Sequence, residues 1–348
     1  GEWTLLRDGE ALKSGKLPVL RTPAGERESL RLVSRAELPE EAGEGEFGLR
    51  VRFVLRERTT WADRGFEVAW ADLPLGIVDK TEEAGAAASA LASSAGALPQ
   101  ALRVERFANR ITVRGDGFSF VFDLAKGWLA SWSVAGRELL LASPKVNLWR
   151  APADNDVHLA KEWIAAGYDR LEQDLRHASF ERLEADGAVR FHAEFALGTK
   201  GEGMAFRARL DYTVNAFGEL LAEAELHALR DDLPPLPRFG LELRLPRELD
   251  RMSWYGRGPH ECYADRKESG KLGVYEGLVA EQFVPYIKPQ ENGNKADVRW
   301  VRFEDEGGFG LQAAAAVDTP MNASAHHYAT ADLASAKHVH ELTPLEET

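Results

Sequence analysis

The sequence predicts an all-β protein, a small immunoglobulin-like sandwich followed by a larger β-sandwich. Three observations predict it. Short runs alternating apolar and polar residues recur along the chain, as half-buried strands require. Turn-forming pairs and triplets stand between those runs, among them Asp8-Gly9, Gly115-Asp116-Gly117 and Ala135-Gly136-Arg137. Only two segments read as helical, whereas a (β/α)₈ barrel needs about 250 residues of alternating strand and helix.

The elements follow in order. In "EWTLLRDGEAL" the Asp8-Gly9 pair separates two short runs, a hairpin signal. "FGLRVRFVLRE" (47–57) alternates apolar and basic residues, and "GFEVAWADLPL" (65–75) reads as a further strand. Four to seven strands in about 75 residues suggest the immunoglobulin-like sandwich, assigned to residues 1–77. Residues 78–100 then turn to Ala, Gly and Ser, in "EEAGAAASALASSAGALPQ". A helix through 86–91 competes with a linker there. The linker is preferred because Gly and Ser interrupt the run, and proteolysis is expected first within 80–98.

From 101 to 348 the strands return. "NRITVRGDGFSFVFD" and "GWLASWSVAGRELLL" each hold a turn between alternating runs, and "AVRFHAEFAL", "MAFRARLDYTV" and "LLAEAELHAL" are longer period-two strands. The helical segments are "AKEWIAAGYDRLEQDL" (160–175) and "TADLASAKHVHEL" (330–342).

Composition narrows the function. The 348 residues carry 43 Lys and Arg against 56 Asp and Glu, a net charge of −13. That excludes nucleic acid and anionic membrane as main partners. The single cysteine, Cys262, permits no internal disulfide and fits a reducing, cytoplasmic setting. No run approaches eighteen apolar residues. The first residues lack a signal-peptide pattern and an initiator Met, so the chain is expected to be cut from something longer.

Three motifs carry the functional reading: "LWRAPADND" (148–156), "WYGRGPHECYADRKESGKLGVYEG" (254–277) and "VPYIKPQENGNKADVRW" (284–300). In this order and spacing they resemble the C-terminal part of the bacterial β-galactosidases of glycoside hydrolase family 2. "DGEALKSGKLPV" through "TTWADRGFEVAW" looks like the immunoglobulin-like domain that follows that family's catalytic barrel. The resemblance implies that the larger sandwich is a galactose-mutarotase-like supersandwich. It also implies a glycosidase acting on terminal β-galactosides, with lactose catabolism as its setting. Retaining enzymes of this kind use two glutamates about 5 Å apart. In the family both sit on the barrel, so no residue of this chain is assigned as catalytic, no cofactor is assigned to it, and the family's metals are expected on the barrel part. The implied partners are a galactoside met through the intact enzyme, the barrel domain, and further copies in a homo-oligomer. The family continues with a "GGxxSW"-like segment whose tryptophan lines the sugar site. Here the sequence stops at "TPLEET", so a C-terminal truncation and an unpaired sheet edge are expected.

Residue by residue, Gln290, Glu291, Asn292 and Gly293 offer amide and carboxylate groups suited to sugar hydroxyls, at a pocket rim in the intact enzyme. The alternative is a plain hairpin loop at the Asn-Gly turn, with Glu291 exposed and Gly293 at positive φ. Glu261, Asp265 and Arg266 read as a structural corner turned by Gly256, Gly258 and Pro259 and tied by Asp265 and Arg266, or else as a rim. Asp154, Asn155 and Asp156 read as an Asx turn entering a helix, because they lack the further ligands of a calcium loop. His326, His327, His338 and His340 are expected as surface or core histidines. His338 and His340 lie two positions apart, which does not place them on one helical face, and no metal site is assigned. Cys262 reads as a small buried residue, with no base indicated beside it. Of Trp149, Trp163, Trp254 and Trp300, most should be core and one could be a sugar platform. Rival readings are a carbohydrate-binding module, the complementing subunit of a split β-galactosidase, and a mutarotase using His192 or His227.

Overall fold

The computed structural model describes residues 1–32, 45–78, 101–183, 187–201, 203–316 and 319–348. Strands β1 (Glu2–Arg7) and β2 (Glu10–Lys16) form the first hairpin. Asp8 and Gly9 both take positive φ, 51° and 82°, as a type I′ turn requires. Strands β3 (Gly45–Val54) and β4 (Glu67–Val78) complete one antiparallel sheet in the order β2-β1-β3-β4. Leu5 and Phe47 are its buried centre, with Trp3 packed against them. Among the described residues this part is a single sheet. The expected linker, its alternative helix and the proteolysis target fall almost wholly on 79–100, outside the described residues.

Strands β5 (Arg103–Phe107), β6 (Arg110–Arg114), β7 (Phe118–Asp123), β8 (Trp128–Val134) and β9 (Arg137–Glu138) form a meander in chain order. Strand β10 (Ala142–Asn147) leaves it and is followed by helix α1 (Leu159–Ala165). Strands β11 (Glu172–Leu183), β12 (Ala188–Thr199), β13 (Gly203–Val214) and β14 (Leu220–Ala228) form a second meander. Strand β15 (Gly240–Arg244) returns to pair with β10. The last group holds β16 (Arg251–Gly258), β17 (Lys271–Leu278), β18 (Lys295–Val298), β19 (Trp300–Glu304), β20 (Gly310–Ala314), β21 (Met321–Ala323) and helix α2 (Thr330–Ser335). Its main sheet runs β17-β16-β19-β20, and β18 pairs with β21 alone. The architecture is all-β, as the alternating runs predict.

The main core lies between the two meanders. Strand β7 alternates buried and half-buried positions, and Phe120 and Phe122 point inward. Strand β12 supplies Phe191 and Phe195 and β13 supplies Tyr212. Phe122 stacks on Phe191 with ring centres 4.6 Å apart. Each such ring removed from water contributes about 1.5–3 kcal/mol, so these facing rows hold the sandwich closed. A smaller core of Met252, Trp254, Val279, Val298 and Val301 lies under β16.

The first helical expectation was too long. Helix α1 ends at Ala165, and Gly167 follows at φ 76°. A Cβ at Gly167 would lie 2.1 Å from the Thr199 hydroxyl oxygen. The segment from Glu172 onward is strand, paired along β12 from Glu172 opposite Gly198. Its alternation won over the helical reading because β12 offers it a ladder. The second helix stops at Ser335, and a separate 3₁₀ turn covers Val339–Glu341.

The N-terminal sheet is clamped to the last sheet group. Arg50 and Asp72 face each other across β3 and β4 and are joined by hydrogen bonds of 2.7 and 2.8 Å. Together they hold the peptide of Leu272: its carbonyl accepts from Arg50 at 2.5 Å and its amide donates to Asp72 at 3.1 Å. Lys271 reaches Glu67 at 2.7 Å. Gly9 approaches the Tyr255 ring so closely that a Cβ there would lie 2.7 Å from it.

Candidate functional site

The three motifs converge on one buried polar junction, although they are separated in the chain. Its centre is segment 283–294, which runs from the end of a 3₁₀ turn (Val279–Gln282) to β18 and has no strand partner of its own. Buried backbone must still find hydrogen-bond partners. Here the motifs' side chains supply several of them.

Glu261 is the first. Its carboxylate accepts from the Gly293 amide at 2.8 Å, from Arg266 Nη2 at 2.8 Å and from the Tyr286 hydroxyl. Asn292 is the second: its Oδ1 accepts from the Val284 amide at 2.9 Å, and its Nδ2 donates to the Gln290 carbonyl at 2.9 Å. Gln290 is the third, its Oε1 accepting from the Asp154 amide at 2.9 Å. The Glu291 amide donates to the Ala151 carbonyl at 3.0 Å, which binds the first motif to the third. Asn294 binds the second to the third. It donates from Nδ2 to the Cys262 carbonyl at 2.6 Å, and its own carbonyl accepts from the Cys262 amide at 2.7 Å.

Charges are paired within the junction. Arg238 donates to Glu291 Oε1 at 2.5 Å, and Arg150 donates to Asp156 Oδ1 at 2.6 Å. Asp156 Oδ2 accepts from the Ala153 amide at 2.9 Å, closing a 3₁₀ turn at Asp154–Asp156. Lys295 is 2% exposed; its ammonium lies 4.7 Å from the centre of the Trp254 ring and donates to the Pro259 carbonyl at 3.1 Å. Burial pulls the pKa of Lys295 down to about 8, against the smaller opposite pulls of Cys262 and Glu261. His326 donates from Nε2 to the Asn292 carbonyl at 2.9 Å, and burial lowers its pKa, which favours the neutral ring. The Tyr263 phenol is pushed well up, first by burial and then by Glu291 and Glu261 nearby.

Several site expectations are revised. Gln290, Glu291, Asn292 and Gly293 are all buried, so neither the plain hairpin nor the exposed Glu291 carboxylate describes them. The exposed part of the segment is its earlier half, where Ile287 is 90% exposed. Gly293 does take positive φ, 76°, while Asn292 does not. Gly256 and Gly258 are not turn residues. They lie within β16, where a Cβ would meet Val298 at 2.9 Å and Tyr275 at 2.8 Å. Arg266 reaches back to Glu261, while Asp265 is exposed at the tip. Glu261 and Arg266 therefore make the corner without Asp265.

The remaining candidates are dispersed. Cys262 is fully buried and burial raises its thiol pKa, as suits an inert side chain. Trp163 and Trp254 are buried. Trp149 is half-buried and lines a recess of about 130 Å³ with Asn147, Asp169 and Gln173, and Trp300 is half-buried under Arg302. His192 Nδ1 pairs with Asp211 at 2.5 Å, and Arg209 holds the other carboxylate oxygen at 2.7 Å. His227 is exposed beside Glu225. Sequence reasoning missed Arg238, Tyr286 and the buried state of Lys295. Arg238 stands in a proline-rich loop with no periodicity to mark it. Lys295 lies within the third motif, but its Trp254 partner is 41 positions earlier in the chain.

Comparison with known proteins gives two family matches. Residues 114–348 match the family described as beta galactosidase small chain, and residues 1–76 match beta-galactosidase, domain 4. A protein named Beta-galactosidase from Priestia megaterium (strain DSM 319 / IMG 1521) is 32% identical over 315 residues, covering 89% of this chain and 28% of that protein. One of the same name from Lactobacillus delbrueckii subsp. bulgaricus is 34% identical over 313 residues, 88% of this chain and 28% of that protein. The Beta-galactosidase of Psychromonas ingrahamii (strain DSM 17664 / CCUG 51855 / 37) is 29% identical over 98% of this chain and 32% of its own length. The chain thus spans 28% of the length of the first two relatives and 32% of the third. Among the described residues, no helix is long and apolar enough to cross a membrane.

Proposed function

The chain belongs to the beta-galactosidase small-chain family, and from that premise we propose that it is the non-catalytic C-terminal part of an enzyme that hydrolyses terminal β-galactosides. The observation carrying this reading is the order of the two family matches together with the share of each relative covered. A domain 4 segment precedes a small-chain segment, and the pair accounts for less than a third of proteins named Beta-galactosidase. On this reading residues 1–77 and 101–348 are two domains joined by 78–100, and the catalytic glutamates lie on a barrel outside this chain.

The buried junction then has a mechanical role. On this reading the segment that Gln290, Glu291, Asn292 and Gly293 hold in place, with Ile287 and Lys288 on its exposed side, walls the sugar pocket of the intact enzyme. Glu261 and Arg266 fix that segment from behind. Preorganisation of this kind keeps a pocket wall in one geometry, where small displacements cost large factors in rate. The N-terminal sheet, clamped through Arg50 and Asp72 on Leu272 and through Glu46, which accepts from Arg299 and Tyr255, buttresses the last sheet group.

The test is hydrolysis of a chromogenic β-galactoside by this chain alone and by a protein that also contains the upstream barrel. Turnover is expected only with the barrel. Turnover by this chain in protein free of host enzyme, abolished by substituting one of its own carboxylates, would overturn the reading.

A second reading, a carbohydrate-binding module, is favoured by one observation: the recess where half-buried Trp149 meets Asn147, Asp169 and Gln173. An aromatic face beside planar polar groups suits one edge of a pyranose. Calorimetric titration with galactose and lactose separates the readings. Saturable heat that Trp149→Ala abolishes favours the module.

A further inference from the structure

We propose that His338, His340 and Glu341 form a binding site for a borderline divalent cation, of which zinc is the representative. The helical argument that separates two histidines two positions apart does not apply here, because this segment is not an α-helix. Helix α2 ends at Ser335; Ala336 is extended, at ψ 141°. His338 is extended as well, at φ −142° and ψ 150°, and a 3₁₀ turn over Val339–Glu341 follows. An extended residue leading into a tight turn swings positions 338 and 340 to the same side.

The resulting geometry brings two imidazoles within reach of one ion. The His338 and His340 rings stack, with centres 5.2 Å apart and planes 16° apart, so rotation of the exposed rings is what turns a nitrogen of each towards a common ion. Imidazoles bound to one tetrahedral ion through bonds of about 2.0–2.1 Å place their ring centres about 5 Å apart. One donor atom from each of His338, His340 and Glu341 lies within 4.8 Å of the other two. All three side chains are exposed, so small side-chain rotations bring the donors to bonding distance without moving the fold, and water fills the remaining coordination positions.

Glu341 is itself held. Its Oε2 accepts from the Lys337 amide at 2.8 Å, and its Oε1 lies 2.9 Å from His338 Nδ1. A carboxylate on one imidazole nitrogen fixes the tautomer and leaves the other nitrogen free to bind metal, the usual outer-sphere arrangement of histidine ligands. Glu341 can serve either as that support or as the third ligand. Two nitrogen donors favour zinc, nickel, cobalt or copper over magnesium and calcium, which prefer all-oxygen sites.

The test is calorimetric titration of the full chain, stripped with chelator, against zinc chloride and separately against magnesium chloride. Binding of one zinc equivalent is expected, with none for magnesium. His338→Ala combined with His340→Ala should abolish it. Glu341→Gln should weaken it by about 10- to 100-fold, the usual effect of losing a supporting carboxylate. Circular dichroism should be unchanged, since the side chains are exposed. No zinc heat up to millimolar concentration overturns the proposal. So does zinc binding that survives in the double variant, and so does magnesium binding lost with the same histidines.

Discussion

Arg299 donates two hydrogen bonds to Glu46, at 2.8 and 2.5 Å, across 253 positions of sequence. The Tyr255 hydroxyl donates to the same carboxylate at 2.8 Å, so three donor atoms from Tyr255 and Arg299 converge on Glu46, the second residue of β3. This contact holds the N-terminal sheet to the rest of the chain in a defined geometry, because a bidentate Arg–carboxylate pair fixes both distance and angle.

Glu46→Ala should therefore loosen the N-terminal sheet. The two residues are about a quarter exposed, 24% and 27% at the side chain, so the loss should be about 1.5–3 kcal/mol, as for hydrogen bonds to charged groups. Urea unfolding measures the global loss, and amide exchange should show β3 and β4 opening first. Unchanged exchange there would mean that the clamp at Leu272 suffices.

The same carboxylate has a pH signature. Burial pushes the Glu46 pKa up, but the hydrogen bonds from Arg299 and Tyr255 outweigh it and hold the group below its ordinary value. A lowered carboxylate pKa stabilises the fold above the unfolded pKa, and this contribution is lost as pH falls through the folded one. The stability difference between wild type and Glu46→Gln should be largest at neutral pH and shrink in acid below the usual glutamate range. A difference that stays constant across that range would assign the stabilisation to shape instead of charge.

Lys295 carries the opposite sign. Its folded pKa of about 8 lies below the ordinary 10.5, so the buried ammonium disfavours folding at neutral pH. Between the two values the unfolded chain binds more protons, and stability rises with pH. Relative to Lys295→Met, wild type should gain up to about 3 kcal/mol from pH 8 to 10.5, at roughly 1.36 kcal/mol per pH unit. Unfolding midpoints across that range check it, and a flat difference would show that the ammonium is better solvated than its surroundings imply.

Glu291→Ala should now be expected to destabilise the fold. It leaves Arg238 facing a vacated site at the junction. Removing one member of a buried pair costs about 3–5 kcal/mol. Because Arg238 keeps 27% of its side chain exposed, about 2–4 kcal/mol is expected. A double-mutant cycle with Arg238→Ala should recover part of the loss. Additive effects would show that the two are not coupled.

Gly293→Ala should fail for two reasons at once. Its φ is 76°, and a Cβ would lie 2.6 Å from the Gln282 carbonyl oxygen, a backbone atom. Gly25→Ala has a similar φ of 82° but nothing within 4 Å. Positive φ alone costs a β-carbon residue about 1 kcal/mol, so Gly25→Ala sets the baseline and Gly293→Ala should exceed it severalfold. Equal thermal shifts in the two variants would mean that the Gln282 backbone yields.

The all-β class is legible in the residues, because period-two alternation in strands such as β7 and β12 follows from the two faces of a pleated ribbon and needs no partner to be read. So are the Asp8-Gly9 hairpin and the positive φ of Gly293, since both rest on local backbone sterics. The three motifs also stand out, because their residue types are unusual for loops. What those motifs do to one another depends on the folded arrangement of the chain. Asn292-Gly293 reads locally as a hairpin, yet the segment is buried, because Glu261, Gln290 and Asn292 give its amides and neighbours side-chain partners in place of a ladder. The first residues of β11, 172–175, read as the end of a helix until β12 lies beside them. The pairs Arg238–Glu291, Arg299–Glu46 and Lys295–Trp254 join positions 41 to 253 residues apart. Long-range pairing of charges leaves no periodic trace in a single chain, because it depends on where the folded backbone brings the groups and not on their spacing.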